Sequence, residues 1–304
     1  MAPPVRHEVL LLGVDGGGTR CRARLTDFEG HVLGQATAGP ANIRLGLRES
    51  LAAISDATRQ CLEQASLHGK QERIVACLAL AGACEPSTLA QAQALPLPFC
   101  RAVFTSDARA ACIGAHGGRD GAIVIVGTGS VGWGIVGGRD FRVGGWGFPL
   151  SDEGSGAWLG RKALTRVLQA HDGLKPWTAS LRSVFERFQT DPYAVVRWMR
   201  GAGPRDYASL APPIVAHAEQ GDAAAQDLMR SAAAHIDALA ARMVDLGGDR
   251  LCLLGGLGDS MRPYLAQCTH RLLVPPIGDA LSGALQMARA EAVAFLCDAV
   301  PAND

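Results

Sequence analysis

Two short glycine-rich stretches have the residue types from which a phosphate-binding site is built. One, "DGGGT", follows the apolar run "VLLLGV", and the other, "GTGS", follows "GAIVIV". Successive main-chain N–H groups in a glycine turn converge into an anion-binding concavity, and the missing β-carbons let phosphate oxygens approach closely. Each stretch therefore predicts a phosphate-binding turn, and the residues concerned are Gly16, Gly17, Gly18 and Thr19 in the first, and Gly127, Thr128, Gly129 and Ser130 in the second.

Other interpretations of these glycine turns are weaker. "GTGSVG" also fits the dinucleotide-binding fingerprint, but that motif must open a helix. The residues that follow, "VGWGIVGG", are poor helix formers, so we predict a hairpin. A Walker loop is excluded because no Gly-Lys pair is followed by Ser or Thr. A single glycine hairpin is usually only a turn, but two equivalent ones after buried strands predict contacts with one polyphosphate.

A third glycine loop and an aspartate add an expected adenosine site and an expected magnesium site to the predicted phosphate contacts. "GGLGDS" follows the apolar strand "RLCLL" and precedes a helix expected to begin near Ser260. Its Gly255 and Gly256 suit the adenosine end of a nucleotide, and a plain strand-to-helix turn is the alternative. Asp15 ends the first strand, where it either caps a turn or holds Mg²⁺ through water. Few cationic side chains lie near the loops, so we expect the metal and backbone amides to neutralise the phosphates.

Composition limits the classes of function. The chain has 304 residues, enough for two domains, and its 29 basic residues equal its 29 acidic ones, so no basic field favours nucleic acid. No window approaches the ~20 apolar residues of a spanning helix, and the first apolar run is too short for a signal peptide. Nine scattered cysteines without a CxxC spacing predict reduced thiols rather than disulfides or a zinc site. We expect a cytoplasmic protein without nucleic-acid or membrane partners.

The elements that must position these residues occur in two copies. Alternating patterns and turn signals predict a three-stranded meander around each phosphate hairpin, which indicates an α/β fold with a duplicated domain. In the first half we predict strands "EVLLLGV", "RCRARLTD", "HVLGQAT", "RIVACLAL" and "RAVFT", with helices over 47–67, over 86–94 and from near Asp107. In the second half we predict the strands of the second meander, mostly helices after residue 152, strand "RLCLL", a strand near "RLLVPP" and an apolar helix over 279–297.

Five stretches, taken in chain order, resemble one family. They are "VDGGGTR", "TSDARAA", "VGTGS", "GGWGFPLSDEGSG" and "GGLGDS". The chain is similar to the N-acetylglucosamine kinases of the BadF/BadG/BcrA/BcrD-type ATPases, in the superfamily of acetate and sugar kinases, actin and heat-shock chaperones. The resemblance implies duplicated actin-like (ribonuclease H-like) domains around a nucleotide and sugar cleft. From the sequence pattern, which places the domain break around "AHGGRDG", we expect the first domain to cover 1–116, completed by a C-terminal helix over 279–304, and the second to cover 117–278.

The resemblance also implies roles for individual residues. Asp107 matches the family's catalytic base, although an Asp that starts a helix can be only an N-cap. Trp146 is either core or a platform on which the sugar stacks. Asp152, which we expect to begin a helix, matches an acceptor of sugar hydroxyl hydrogen bonds. The remaining residues with implied sugar contacts are Gly145, Gly147 and, with the weakest match, Asn42.

The implied activity is transfer of the ATP γ-phosphate, with Mg²⁺, to the 6-hydroxyl of an amino sugar. The sequence leaves open whether that sugar is N-acetylglucosamine or glucosamine. One alternative is an activator of acyl-CoA dehydratases, which holds an iron–sulfur cluster between subunits. Cys77, Cys84 and Cys112 lie in or beside regular elements and do not resemble a cluster loop. The other alternative is a non-catalytic nucleotide switch or a sugar-sensing regulator. The family also implies a homodimer, with which the apolar last helix is compatible.

Overall fold

A computed structural model of the chain describes residues 8–44 and 46–298. The chain divides into two compact units, Met1–Asp120 with Pro276–Asp304, and Gly121–Pro275. Each unit has its own sheet and its own buried apolar core. Among the described residues, no helix combines the length and apolar character needed to cross a membrane.

The first unit has a five-stranded sheet with the strand order β3-β2-β1-β4-β5. Strand β2 is antiparallel to β1 and β3, whereas β1, β4 and β5 are mutually parallel. Gly16 pairs with Leu80, and Leu80 pairs with Ser106, so the three parallel strands end side by side. Its elements up to residue 116 are β1 (Leu10–Gly16), β2 (Cys21–Thr26), β3 (Val32–Ala38), α1 (Leu47–Gln64), β4 (Ile74–Leu80), α2 (Pro86–Gln93), β5 (Arg101–Ser106) and α3 (Asp107–His116).

The second unit repeats the meander and adds a layer of helices. Its sheet has the order β8-β7-β6-β9, with β6 antiparallel to β7 and parallel to β9. Val126 pairs with Ser130, which confirms the predicted hairpin at "GTGS". Its elements are β6 (Gly121–Val126), β7 (Ser130–Val136), β8 (Arg139–Gly144), α4 (Gly156–His171), α5 (Ala179–Glu186), α6 (Pro192–Met199), α7 (Pro204–Ala208), α8 (Ala211–Glu219), α9 (Ala223–Asp245), β9 (Leu251–Leu254), α10 (Gly258–Met261) and α11 (Gln267–Leu272).

The strand predicted near "RLLVPP" is wrong. Its first two residues belong to α11, and only Leu273 forms an isolated bridge, to Leu251. The Val274 N–H donates to the Leu251 carbonyl at 2.9 Å. The next two residues are prolines, which have no N–H to continue a ladder, so pairing stops after one bridge.

The last described helix, α12 (Ala280–Asp298), belongs to the first unit. It packs on β1 and β4 and crosses α3. A β-carbon on Gly114 would overlap the Asp279 carbonyl, and one on Gly283 would overlap the Ala110 carbonyl, so the two helix backbones touch. The predicted helix over 279–304 is thus observed as far as residue 298, and residues 299–304 lie outside the described residues.

Candidate active site

Asp107 is the first residue of α3, immediately after β5. The N-cap of this helix is Ser106, whose Oγ accepts the Arg109 N–H at 3.1 Å. The Asp107 carboxylate instead accepts the N–H of Ala108 at 2.8 Å. The interpretation of Asp107 as an N-cap is therefore wrong, because the neighbouring serine already supplies that oxygen.

Asp15 is linked to two residues that the sequence did not single out. Arg22 donates through Nη2 and Nε to Asp15 Oδ2, at 2.6 and 3.1 Å. Its Nη1 reaches Asp279 Oδ2 at 3.2 Å. Asp279 Oδ1 also accepts the N–H and hydroxyl of Ser282, at 3.0 and 2.8 Å. The expectation of few cations near the loop therefore needs correction, since a guanidinium contacts the aspartate itself.

The glycines of the first loop differ in what the fold requires of them. A β-carbon on Gly16 would lie 2.5 Å from Leu80 Cδ2 and 2.8 Å from the Ala41 carbonyl, so packing alone demands glycine there. On Gly17 it would meet only the Arg20 carbonyl, at the ordinary contact distance of 3.4 Å. Gly18 and Thr19 are both exposed or half-exposed in the same turn. The fold does not explain the glycine at position 17.

Asn42 lies beside this loop. The preceding N–H, of Ala41, donates to the Gly17 carbonyl at 2.9 Å, and Asn42 forms an isolated bridge with Ala81. Its Oδ1 accepts the Arg44 N–H at 3.1 Å. Because Ala81 follows β4 and Asp107 follows β5, Asn42 and Asp107 share one edge of the sheet with the end of β1. Ligands of open α/β sheets bind at this edge, beyond the carboxyl ends of parallel strands.

In the second unit, the hairpin after β6 is fixed to the start of α4. The Gly127 N–H donates to the Gly129 carbonyl at 2.9 Å. The N–H groups of Gly156 and Ala157 donate to the carbonyls of Gly127 and Thr128, at 2.8 and 3.1 Å. A β-carbon on Gly127 would meet nothing within 4 Å, so open space adjoins this glycine.

The third glycine loop lies next to that hairpin. The Leu257 N–H donates to the Val126 carbonyl at 3.0 Å, which joins the ends of β9 and β6. Gly255 has φ 91°, a conformation that favours glycine, and a β-carbon there would overlap Val126. Around Gly256 nothing lies within 4 Å. The following helix, α10, begins at Gly258, two residues before the predicted start.

Trp146 is not a core residue, because 75% of it is exposed. The Arg142 guanidinium lies 4.2 Å from the centroid of the indole ring. Arg142 also donates to the carbonyls of Gly144, at 2.9 Å, and Gly145. The Trp146 N–H donates to Ser151 Oγ at 3.3 Å. The loop thus presents an arginine-supported aromatic ring to solvent.

Asp152 does not begin a helix, contrary to expectation. Ser155 caps α4 by accepting the Trp158 N–H at 3.2 Å. Asp152 has φ 66°, a conformation that Asp tolerates better than most residues, and its Oδ1 accepts the Gly147 N–H at 3.2 Å. Burial raises the pKa of its carboxyl, as does the nearby charge of Glu153, against the opposing effect of N–H donors.

The comparison with known proteins identifies the family. The family model described as "BadF/BadG/BcrA/BcrD ATPase family" matches residues 12–267. The chain belongs to this family. It is 38% identical over 278 residues to the glucosamine kinase GspK of Vibrio cholerae serotype O1, a match that covers 91% of this chain and 95% of that protein.

Solved structures agree with the fold of this BadF-type ATPase. A Chromobacterium violaceum protein named as a candidate N-acetylglucosamine kinase matches with TM-score 0.85 and 33% identity, over 92% of this chain and 99% of that one. A Streptomyces griseus ROK family glucokinase, solved with glucose and AMPPNP, matches with TM-score 0.53 and 19% identity, over 92% and 99%. The latter likeness concerns the fold alone. The predicted class, duplicated actin-like domains, is confirmed.

Electrostatics distinguish the two aspartates at the sheet edge of this BadF-type ATPase. Loss of solvation raises the pKa of the Asp107 carboxyl, and the charge of Asp15 raises it further, against the hydrogen bond from Ala108. Asp15, by contrast, contacts Arg22 directly. A carboxylate with a raised pKa is a better proton acceptor near neutral pH than an ordinary one. The site therefore contains one carboxylate, Asp15, that is paired with an arginine, and one, Asp107, that is suited to accept a proton.

Arg22 and Asp279 were not identified as site residues from the sequence, although a sequence signal exists for Arg22. Arg22 pairs with Asp15 in the antiparallel register of β1 and β2, and a short hairpin around "GGGT" places them opposite each other. Asp279 had no such signal, since it lies 257 positions from Arg22. Only the return of α12 to the first unit brings them together.

Proposed function

We propose that the protein is an ATP-dependent kinase that transfers the γ-phosphate to the 6-hydroxyl of glucosamine or N-acetylglucosamine. The observation that carries the proposal is the Asp107 carboxylate. It lies at the edge of the sheet beyond the carboxyl ends of the parallel strands, where open α/β sheets usually bind ligands, has a raised pKa, and is not the cap of its helix. Family membership and relatives named as amino-sugar kinases support the same reaction.

In this mechanism Asp107 orients the 6-hydroxyl and accepts its proton. The hydroxyl oxygen forms a bond to the γ-phosphorus while the bond from that phosphorus to the bridging oxygen of ADP breaks. Phosphoryl transfer depends mainly on positioning and charge stabilisation, so one suitably placed carboxylate suffices for the proton. The products are the sugar 6-phosphate and ADP.

The residues of the first loop fit Mg²⁺ as it is usually bound with nucleotides. The described residues contain no cluster of three or more His, Cys, Asp or Glu side chains able to hold a metal. Mg²⁺ with ATP needs no such cluster, because one or two carboxylates with water and phosphate oxygens complete its shell. Asp15 would supply the carboxylate, with Arg22 on its Oδ2. The ion would neutralise charge that develops on the transferred phosphate.

In this proposal the three glycine loops bind the nucleotide. Gly17 and Gly127 are glycines that packing does not require, and main-chain approach by phosphate explains them. Gly256 has the same open surroundings and suits the adenosine end. The neighbouring residues assigned to the nucleotide are Gly16, Gly18, Thr19, Thr128, Gly129 and Gly255, together with Ser130 as part of the hairpin only, because its hydroxyl donates to the Glu153 carbonyl.

We assign most of the sugar contacts to the loop around Trp146. Its exposed indole provides a stacking surface, and Asp152 provides an acceptor for hydroxyl groups. Gly145 and Gly147 have positive φ values, which allow the tight path of this loop, and Asn42 is the remaining residue assigned to the sugar. A homodimer and a cytoplasmic location remain part of the proposal.

A coupled ADP-release assay tests the function. Glucosamine, N-acetylglucosamine, N-acetylmannosamine and glucose are each supplied with ATP and Mg²⁺, and kcat/KM is measured for each. We expect one of the first two to give the highest value, with phosphate recovered at O6 by NMR. ATP hydrolysis that no sugar accelerates would contradict a kinase and favour the activator or switch.

A further inference from the structure

Ser130 has a different partner from the phosphate that its motif predicts. Its side chain is buried, with 4% of the residue exposed, and Oγ donates to the Glu153 carbonyl at 2.7 Å. A hydroxyl has one proton, so this contact occupies its donor capacity. The hydrogen bond joins the hairpin over 127–130 to the loop over 145–153, called here the sugar loop.

A second contact joins the same two segments. A β-carbon built on Gly129 would lie 2.5 Å from Asp152 Oδ2 and 3.1 Å from its Cγ. The carboxylate that we assign to the sugar therefore packs against the main chain of the hairpin. Glycine at position 129 makes room for this carboxylate, which is a separate requirement from room for phosphate.

The start of α4 completes the connection. The Ser155 N–H donates to the Asp152 carbonyl at 3.2 Å, and the Gly156 N–H donates to the Gly127 carbonyl at 2.8 Å. The hairpin, the end of the sugar loop and the first turn of α4 are thus joined by consecutive hydrogen bonds within one unit.

We propose that Ser130 is a positioning residue that couples nucleotide binding to sugar binding. The inference rests on the proposed function, since it assigns the hairpin to phosphate and the sugar loop to the sugar. Nucleotide bound at the hairpin holds Ser130 and the Glu153 carbonyl in place, which holds Asp152 for the sugar. The second ligand then loses less conformational entropy on binding, so each ligand raises the affinity for the other by the same factor.

Calorimetry measures this factor directly. The Kd of glucosamine and of N-acetylglucosamine is determined with and without saturating AMPPNP and Mg²⁺. We expect AMPPNP to tighten sugar binding in the wild type by about fivefold or more, the usual scale of such coupling. In Ser130→Ala we expect the factor to fall to about one or two, because the connecting hydrogen bond is lost. The reciprocal titration, AMPPNP with and without sugar, must give the same factor.

Ser180→Ala is the matched control. Ser180 is also buried, and its Oγ donates to Asp222 Oδ1 at 2.7 Å, a contact that involves neither the hairpin nor the sugar loop. The variant also loses the hydrogen bond of a buried serine hydroxyl, here one to a carboxylate, so we expect its thermal stability to fall at least as much while its coupling factor stays that of the wild type. If Ser130→Ala does not fold, the test uses Ser130→Cys, whose side chain has the same connectivity, is slightly larger and donates only weakly. We expect a reduced coupling factor for that variant as well.

The outcomes separate this inference from the proposed function. Wild-type coupling retained in the folded Ser130 variant would overturn the coupling role and leave the kinase intact. A wild type in which the two ligands bind independently would do the same. Absence of sugar binding in the wild type would overturn the proposed function and this inference with it.

Discussion

Asp107 is the residue whose replacement separates chemistry from binding. Asp107→Asn keeps the shape of the side chain but cannot accept a proton. We expect turnover to fall by about 10²–10⁴, the range that general-base catalysis supplies, with Kd values for sugar and AMPPNP within several-fold of the wild type. Steady-state kinetics and calorimetry measure the two effects. Near-normal turnover would show that another carboxylate, such as Asp152, accepts the proton.

The same substitution has a predicted effect on stability that depends on pH. Because the folded pKa of Asp107 lies above its ordinary value, the native state favours the protonated form, and its contribution to stability is lost as pH rises through the folded pKa. At pH 7 to 8 ligand-free Asp107→Asn should therefore unfold at higher denaturant concentration than the wild type. The difference should vanish below pH of about 3.9, the ordinary value for Asp. A variant less stable than the wild type at pH 7 would contradict the raised pKa.

Gly17 provides the residue-scale test of nucleotide binding. A β-carbon there makes only an ordinary contact, so Gly17→Ala should fold with an unchanged melting temperature. We expect its AMPPNP affinity to fall about tenfold or more, because the methyl group occupies space that a phosphate oxygen needs. Gly39→Ala is the control, since it adds a β-carbon in the same unit at a position where nothing lies within 4 Å. Equal AMPPNP affinities for the two variants would contradict the assignment.

At the scale of elements, the close crossing of α12 and α3 holds the last described helix against the first unit. Gly283 lies where the two backbones touch, so Gly283→Ala must separate the helices. We expect a loss of about 1–3 kcal/mol in the free energy of unfolding, the usual cost of overpacking. Ala290→Val, on the exposed face of α12, should cost less than about 1 kcal/mol. Chemical denaturation compares the two, and equal losses would show that the close crossing does not limit stability.

Helices and strands could be predicted where neighbouring residues in the sequence determine them. Both meanders and the order of strands and helices in the first half follow from alternation and turn residues. The helix expected to begin at Asp152 begins instead at Gly156, because the chain adopts a left-handed conformation at Asp152 and Ser155 caps α4. The strand expected near Leu273 fails because α11 ends only one residue before it and prolines follow. An apolar run specifies burial, but neighbouring residues and the available partner decide whether it forms a strand.

At the scale of the whole molecule, ligand-linked stability distinguishes the kinase from the other functions. At one hundred times its Kd, a ligand that binds only the native state stabilises it by about 2.7 kcal/mol. We expect AMPPNP and the amino sugar each to raise the melting temperature, and the purified protein to be colourless and free of iron. Iron in stoichiometric amount, with no response to sugar, would support a dehydratase activator.

The sequence by itself determined which main-chain segments have the character of ligand-binding turns. Glycine turns after apolar strands, and an Asp that follows a strand, are local patterns whose hydrogen-bonding capacity is set by a few adjacent residues. The motifs around Gly17, Gly127 and Asp107 are therefore recognisable from the order of residues alone, and their roles remain predictions.

The tertiary structure decided which partner each side chain has. Ser106 rather than Asp107 caps α3, Arg22 joins Asp15 to Asp279, and the Ser130 hydroxyl donates to the Glu153 carbonyl. A polar side chain usually has several possible partners of similar strength, so its sequence neighbours do not determine which one it contacts. Packing of α12, the sheets and the sugar loop determines it, because only groups brought within hydrogen-bonding distance can pair.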